Sequence, residues 1–259
     1  MRRSTSGRLP QQQRTVLATL TQRYRKMLAI GLMIVVLVAT VLWQPRWLLS
    51  LAGQLNPGAM YFVDTNQPKV ALTIDDGPHD ETTEAILAVL DRHGSRATFF
   101  MIGGYVPGHE AALARITAAG HELGHHMGED EASIRLSSAE FEADLLATEK
   151  TLLPWVNDLL PLRWLRPGMG WYSATMVETA QRHGYRLALG SIFPYDTHLP
   201  WVGFATWFIL TKVKSGDVIV LHDGDHNRGD RTVKVLEQVL PVLKRKGLEV
   251  VTLSELVNQ

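Results

Sequence analysis

The chain contains no cysteine. That excludes disulfide staples, thiolate nucleophiles and cysteine metal sites, and leaves the compartment unreadable from cysteine usage. Acidic residues are missing from the N-terminal stretch. Residues 1–63 hold eight basic side chains (Arg2, Arg3, Arg8, Arg14, Arg23, Arg25, Lys26 and Arg46) and no Asp or Glu. The other 18 Lys and Arg stand against all 26 Asp and Glu, so residues 64–259 carry a net charge of about −8. A mildly acidic body argues against a nucleic-acid partner. Internal repeats and low-complexity tracts are also lacking. What is present is a chain of 259 residues, 46% hydrophobic, enough for one large core.

Residues 27–43 form a run of 17 without a charge, MLAIGLMIVVLVATVLW. As a helix it spans roughly 26 Å, near the lower limit for crossing a bilayer. Seven positive charges precede it, which places residues 1–26 in the cytoplasm and the bulk of the chain outside the cytoplasmic membrane. Trp43 and Trp47 suit the far interface. A cleaved signal peptide is the alternative, but Gln44-Pro45-Arg46-Trp47 does not resemble a small-residue cleavage site. The expected organisation is a cytoplasmic tail (1–26), a single-pass anchor (27–43), a juxtamembrane linker (44–68) containing Pro45, Pro57 and Pro68, and a catalytic domain (69–259).

From residue 69 onward two patterns alternate. Apolar, strand-like runs occur at 69–74, 97–102, 121–125, 163–166, 186–190, 217–222 and 248–252. Helical patterns lie between them at about 81–93, 109–119, 138–152, 173–183, 203–214 and 231–246, the third opening on the capping box Ser137-x-x-Glu140. Strands alternating with helices imply parallel pairing and an α/β sheet, closed as a barrel. Polar residues gather at the C-terminal ends of these strands: Asp75, Asp76, His125, His126, Arg166, Asp196 and His222. In α/β barrels that edge carries the chemistry.

Asp75 and Asp76 follow the apolar run Val70-Ala71-Leu72 and precede Gly77-Pro78. Adjacent carboxylates repel unless a cation sits between them. On an extended chain they point to opposite sides, so one could ligate a metal while the other handles a proton. An N-cap for the following helix is the structural alternative. His126 and Asp130 are four residues apart and share one face if the chain turns helically there; taken alone, the spacing reads rather as a solvated loop with a stray histidine, but combined with Asp76 it offers three N/O ligands and an open coordination position.

These motifs resemble those of the polysaccharide deacetylase family, the NodB-homology or carbohydrate esterase 4 family, in order across residues 69–257. Thr73-Ile74-Asp75-Asp76-Gly77-Pro78 is similar to its first motif. Ala97-Thr98-Phe99-Phe100 with Gly103 resembles its second strand, Gly120 to His126 the approach to the second motif, and Arg166-Pro167-Gly168-Met169-Gly170 the third motif. Leu221-His222-Asp223 and Val250 to Leu256 resemble the closing segments. The resemblance implies an irregular (β/α)7-type barrel. It also implies a metal-dependent hydrolase of linear amides other than peptides, removing N-acetyl groups from amino sugars of chitin-like oligosaccharides or peptidoglycan. By position, Asp75 is the general base, Asp76 and His126 are metal ligands, and Arg166 is the partner of Asp75. The Met169 N–H helps stabilise the oxyanion, and His222 protonates the leaving amine. The implied cofactor is one divalent ion, Zn²⁺ first, with Mn²⁺ or Co²⁺ as alternatives.

Three departures from the family pattern matter. Asp130 stands where a second histidine is usual; as third ligand it would make the metal a weaker Lewis acid and favour harder cations. The usual fourth motif is absent, and Asp196 is the nearest candidate to orient His222. Gly168-Met169 replaces Pro-Tyr, removing one aromatic wall; Trp171, Tyr172, Trp201 and Trp207 could supply stacking surfaces or be packing residues. His125 replaces an Asn and reads as structural. Glu122 and Asp223 could orient catalytic neighbours, whereas His79, His93, His183 and His226 read as surface residues. The expected partners are an N-acetylated glycan and, through the N-terminal helix, the membrane. Two rival functions remain: deacylation of a lipid-linked amino sugar, and carbohydrate binding with little catalysis.

Overall fold

A computed structural model describes residues 11–156, 160–224 and 227–258, with side chains from residue 22 onward. Arg2, Arg3, Arg8 and His226 lie outside the described residues. The chain divides at Leu48/Leu49 into two units. The first contains helix α1 (Gln11–Trp43), within which Gln22–Trp43 is long and apolar enough to cross a membrane. Helix α2 (Arg46–Leu55) begins three residues later, after Gln44 and Pro45, and runs into the second unit.

The second unit is an α/β fold. Its strands are β1 (Ala59–Met60), β2 (Lys69–Gly77), β3 (Thr98–Met101), β4 (Glu122–His125), β5 (Trp164–Leu165), β6 (Arg186–Ala188), β7 (Val218–His222) and β8 (Glu249–Val251). Between them lie α3 (Asp80–His93), α4 (Glu110–Ala118), α5 (Ser138–Leu152), α6 (Ala174–Arg182), α7 (Val202–Lys212) and α8 (Arg228–Arg245), and α9 (Leu253–Val257) closes the chain. All seven expected strands and six expected helices occur where the apolar periodicity placed them. The Ser137–Glu140 capping box is formed in both directions.

Every ladder is parallel, in the order β1-β6-β5-β4-β3-β2-β7, with β8 also pairing β2. The barrel expectation needs correction. The sheet curls, but β1 and β7 form no ladder with each other; its ends approach only through isolated bridges, Phe62 to Asp217 and Ile192 to Ile219. The linker expectation misses β1, because two residues beside Pro57 and Gly58 carry no periodicity, yet Ala59–Met60 forms the sheet edge against β6.

Period-two alternation decides which side chains enter the curl. Along β2, Val70, Leu72 and Ile74 join the large cluster beneath the helices with Phe99, Ile86, Leu90 and Leu236. Ala71, two residues before Thr73 and four before Asp75, joins Phe100, Trp164, Ala188 and Val218 in a separate cluster. On β7, Ile219 and Leu221 go to the helix side and Val218 to the other. The same alternation carries Asp75 and His222 to the Ala71/Val218 face, and the β2/β7 register sets them side by side.

At the opposite edge a buried polar knot ties down α9. Glu122 accepts hydrogen bonds from the Thr98 hydroxyl (2.7 Å), the Ser254 backbone N–H (3.2 Å) and the Ser254 hydroxyl. Trp164 Nε1 donates to Ser254 Oγ at 3.0 Å. Glu122 opens β4 while His125 ends it, so its carboxylate serves the N-terminal edge of the sheet and orients no catalytic group.

Candidate active site

Asp75 is buried, and its two oxygens face different partners. Oδ1 accepts from Arg166 Nη1 at 2.5 Å. Oδ2 lies 3.9 Å from His222 Nε2 and 4.0 Å from His126 Nε2. Both distances exceed a direct hydrogen bond, so Oδ2 faces two imidazoles without being tied to either. Arg166 follows β5 and is held at several points. Its Nε donates to the Ala188 carbonyl (2.7 Å), its Nη1 also to Thr73 Oγ1 (2.8 Å), and its guanidinium carbon lies 4.2 Å from the Phe100 ring centre. A buried guanidinium fixed this way presents its charge in one orientation only.

Asp76 departs from simple alternation. Its backbone is left-handed (φ 67°), and the β2/β3 register breaks between Ile74 and Gly77. This irregularity turns the second carboxylate toward the first. Both carboxylates therefore approach the same imidazole: Asp76 Oδ1 is 3.2 Å from His126 Nε2. Met127 (φ 65°), Met169 (φ 59°) and Tyr195 (φ 60°) are also left-handed. Each adjoins or follows a site residue in sequence, the pattern of backbone strain held at functional positions.

His126 Nδ1 hydrogen-bonds the Arg166 carbonyl at 2.7 Å, which makes Nδ1 the donor and aims Nε2 at Asp76. Burial opposes its charge, but Asp76 and Asp75 outweigh it and raise its pKa. For Asp76, burial is likewise overcome, here by His126, His222 and Arg228, which hold the carboxyl well below its usual range. His222 Nδ1 meets both oxygens of Asp196 at 3.1 Å, and Asp196 also accepts from the His222 backbone N–H at 3.1 Å. Burial again disfavours the charged ring, but Asp196, Asp75 and Asp76 prevail and push the pKa up to about 9. Phe193 packs edge-on against the same ring.

The structure thus brings together Asp75, Asp76, His126, Arg166, Asp196 and His222. Asp130 is exposed, and among the described residues no three His, Cys, Asp or Glu side chains converge to hold a metal. Asp76 and His126 by themselves fit a cation. Their donor atoms are 3.2 Å apart, within the range of about 2.8–3.6 Å spanned by two adjacent donors that each lie about 2.0–2.2 Å from one ion. Met169 has an exposed side chain on a tight turn, preceded by Gly168, whose N–H donates to Ser133 Oγ at 2.8 Å.

Of the aromatic candidates, Trp171, Trp201 and Trp207 are exposed, while the Tyr172 hydroxyl meets that of Tyr61 at 3.0 Å. Asp223 accepts from the hydroxyls of Thr82 and Thr83, both at 2.5 Å, and its N–H donates to the Asp75 carbonyl at 2.8 Å, so it does help position the site. His183 Nε2 hydrogen-bonds Glu142 Oε1 at 2.7 Å, so it is not a plain surface residue. His125 is fully buried, bonded through Nε2 to the Leu145 carbonyl and through Nδ1 to the Met127 N–H.

Arg228 escapes sequence reasoning entirely. It lies in none of the motifs, yet its Nη1 forms a short charged contact with Asp76 Oδ2. A cavity of about 410 Å³, lined by residues including Leu49, Met60, Tyr61 and Arg186, involves none of the site residues.

The polysaccharide deacetylase family model matches residues 62–188. A peptidoglycan-N-acetylglucosamine deacetylase of Bacillus cereus is 34% identical over 198 residues, covering 76% of this chain and 91% of that protein. A chitooligosaccharide deacetylase of Bradyrhizobium is 30% identical, covering 72% and 90%. Among solved structures, the Bc1960 peptidoglycan N-acetylglucosamine deacetylase aligns with a TM-score of 0.73 at 26% identity, over 78% of this chain and 94% of that one. A mutant of BA3943, described as a CE4 family pseudoenzyme with restored enzymatic activity, aligns with a TM-score of 0.70 at 26% identity, over 77% and 71%. The chain belongs to the polysaccharide deacetylase family, whose members hydrolyse N-acetyl amide bonds of glycans.

Proposed function

We propose that this chain is a metal-dependent N-deacetylase of amino sugars in a glycan outside the cytoplasmic membrane, peptidoglycan or a chitin-like oligosaccharide. The observation that carries the reading is the Asp75–His222 pair. The two groups lie 3.9 Å apart at the ends of β2 and β7, and each is backed by its own buried partner, Arg166 or Asp196. Amide hydrolysis requires a proton acceptor for the attacking water and a donor for a poor leaving group. Asp75 Oδ2 takes the water proton. His222 is largely protonated at neutral pH and gives its Nε2 proton to the departing amine. The Met169 N–H is the proposed donor to the oxyanion of the tetrahedral intermediate. Asp76 and His126 would hold a divalent ion, Zn²⁺ first, which supplies Lewis acidity. Asp130 is the proposed third ligand.

The membrane reading rests on Gln22–Trp43 and on helix α2 behind it. Trp47, Leu51 and Leu55 recur at every fourth position of α2 and are exposed, an apolar stripe suited to a lipid interface directly after a span. With this anchor, the basic tail 1–26 is cytoplasmic, and the domain beginning near residue 59 is outside.

A second reading has its own observation. Among the described residues no third ligand converges with Asp76 and His126, and Arg228 already neutralises Asp76, as in a carbohydrate-binding protein with little catalysis. Acetate release separates these readings. The full chain in detergent is offered peptidoglycan, N-acetylglucosamine oligomers and lipid-linked amino sugars, with chelator and with Zn²⁺, Mn²⁺ or Co²⁺. The proposal expects acetate from peptidoglycan or the oligomers, lost on chelation and restored by metal. Acetate from lipid-linked sugars alone would move the substrate to the glycolipid, and none from any substrate with metal bound would leave the binding role.

A further inference from the structure

Asp76 already has a basic side chain on each oxygen. Oδ1 faces His126 Nε2, and Oδ2 is held by Arg228 Nη1. Arg228 is the first residue of α8, so its backbone is fixed by that helix. The guanidinium lies near Gly224 and His79: a Cβ placed on Gly224 would make ordinary van der Waals contact with its central carbon (3.7 Å) and with His79 Nε2 (3.4 Å). Glycine at 224 is also required by its φ of 116°. The contact is partly shielded, with the Arg228 side chain 27% exposed and that of Asp76 10%. A charged hydrogen bond in such surroundings is stronger than an open surface pair.

The geometry points to Arg228 as a built-in competitor for the metal. Its guanidinium holds the Asp76 carboxylate and must yield, or share that carboxylate, when a divalent ion binds Asp76 and His126. Two effects act in the same direction. Asp76 has to exchange one cation for another, and any guanidinium that stays repels the incoming ion. Metal affinity is therefore set by Arg228 as well as by the ligands. This inference rests on the metal reading proposed for Asp76 and His126, and its test keeps the two apart.

The test is calorimetric titration of Zn²⁺ and Mn²⁺ into the full chain in detergent after chelator treatment. Wild type is compared with Arg228→Met and Arg228→Lys, and with Asp76→Asn as the control for the site. Far-UV circular dichroism checks folding, and Arg228→Gln replaces the Met variant if that one misfolds. The expected result is at least about tenfold tighter binding by Arg228→Met, a free-energy gain of about 1.4 kcal/mol, with Arg228→Lys in between and no binding by Asp76→Asn. Binding by wild type with no gain in folded Arg228→Met would overturn the competition and leave the metal reading standing. No binding by either chain at millimolar metal would overturn the metal reading and the competition together.

Discussion

Replacing His125 by asparagine should change both the stability of the chain and the way that stability depends on pH. His125 is fully buried, its pKa is lowered by burial to about 4, and both ring nitrogens are engaged by backbone groups. In the unfolded chain it titrates near 6.5. Between those values the unfolded state binds more protons, so stability falls as pH drops through that window. From pH 7.5 to 5.0 this single group costs about 2 kcal/mol, because the unfolded ring becomes nearly fully protonated while the folded ring stays mostly neutral. Other groups titrate over the same range. His121, also lowered to about 4 by burial, adds a loss of the same sign. His222 and His126, both raised, give stability that is full below about 6.5 and fades as pH rises through their folded values. These terms cancel when wild type and variant are compared at each pH. Asparagine leaves a small void beside Tyr185, whose ring packs on His125, and should cost about 1–3 kcal/mol at pH 7.5. That deficit should shrink by about 2 kcal/mol at pH 5.0. Urea unfolding of the full chain in detergent at the two pH values measures it. An equal deficit at both would refute the claim that His125 is buried neutral.

Two further outcomes are expected from the geometry. Asp196→Asn removes the charge that orients His222 Nδ1 and keeps its pKa near 9, so kcat should fall about a hundredfold or more with little change in KM. The alkaline limb of its pH–rate profile should move down by at least a unit; an unmoved limb would mean that Asp196 is only a packing partner. Gly168→Ala places a Cβ 2.0 Å from the Glu131 carbonyl oxygen, a clash with backbone. It should destabilise the chain by about 1–3 kcal/mol in urea unfolding and disturb the Met169 turn, and a variant with wild-type stability and turnover would show that this turn yields freely.

Much of the architecture was legible because the physics that builds it is local. Buried parallel strands read as continuous apolar runs, and helices read through their period and caps, so β2 to β8 and α3 to α8 lie where the pattern put them. Closure was not legible, since it depends on whether the ends of the curl pair as a ladder, and here they meet only at isolated bridges. The first motif implied two carboxylates on opposite sides of a strand. The left-handed backbone at Asp76 brings both to His126, and no side-chain pattern announces that φ. Glu122 and His125 look like neighbours in sequence, but the length of β4 separates them to opposite edges of the sheet. Arg228 was invisible because its role depends on where α8 begins relative to β2, a long-range relation with no motif.

The most direct test of the proposed chemistry separates the two adjacent carboxylates. Acetate release and Zn²⁺ binding are measured on the full chain for Asp75→Asn and Asp76→Asn beside wild type. If Asp75 is the proton acceptor and Asp76 the cation ligand, Asp75→Asn keeps its metal and loses turnover by about a hundredfold or more, whereas Asp76→Asn loses both. Asp75→Asn turning over at the wild-type rate, or Asp76→Asn binding Zn²⁺ as tightly as wild type, would contradict that division of labour.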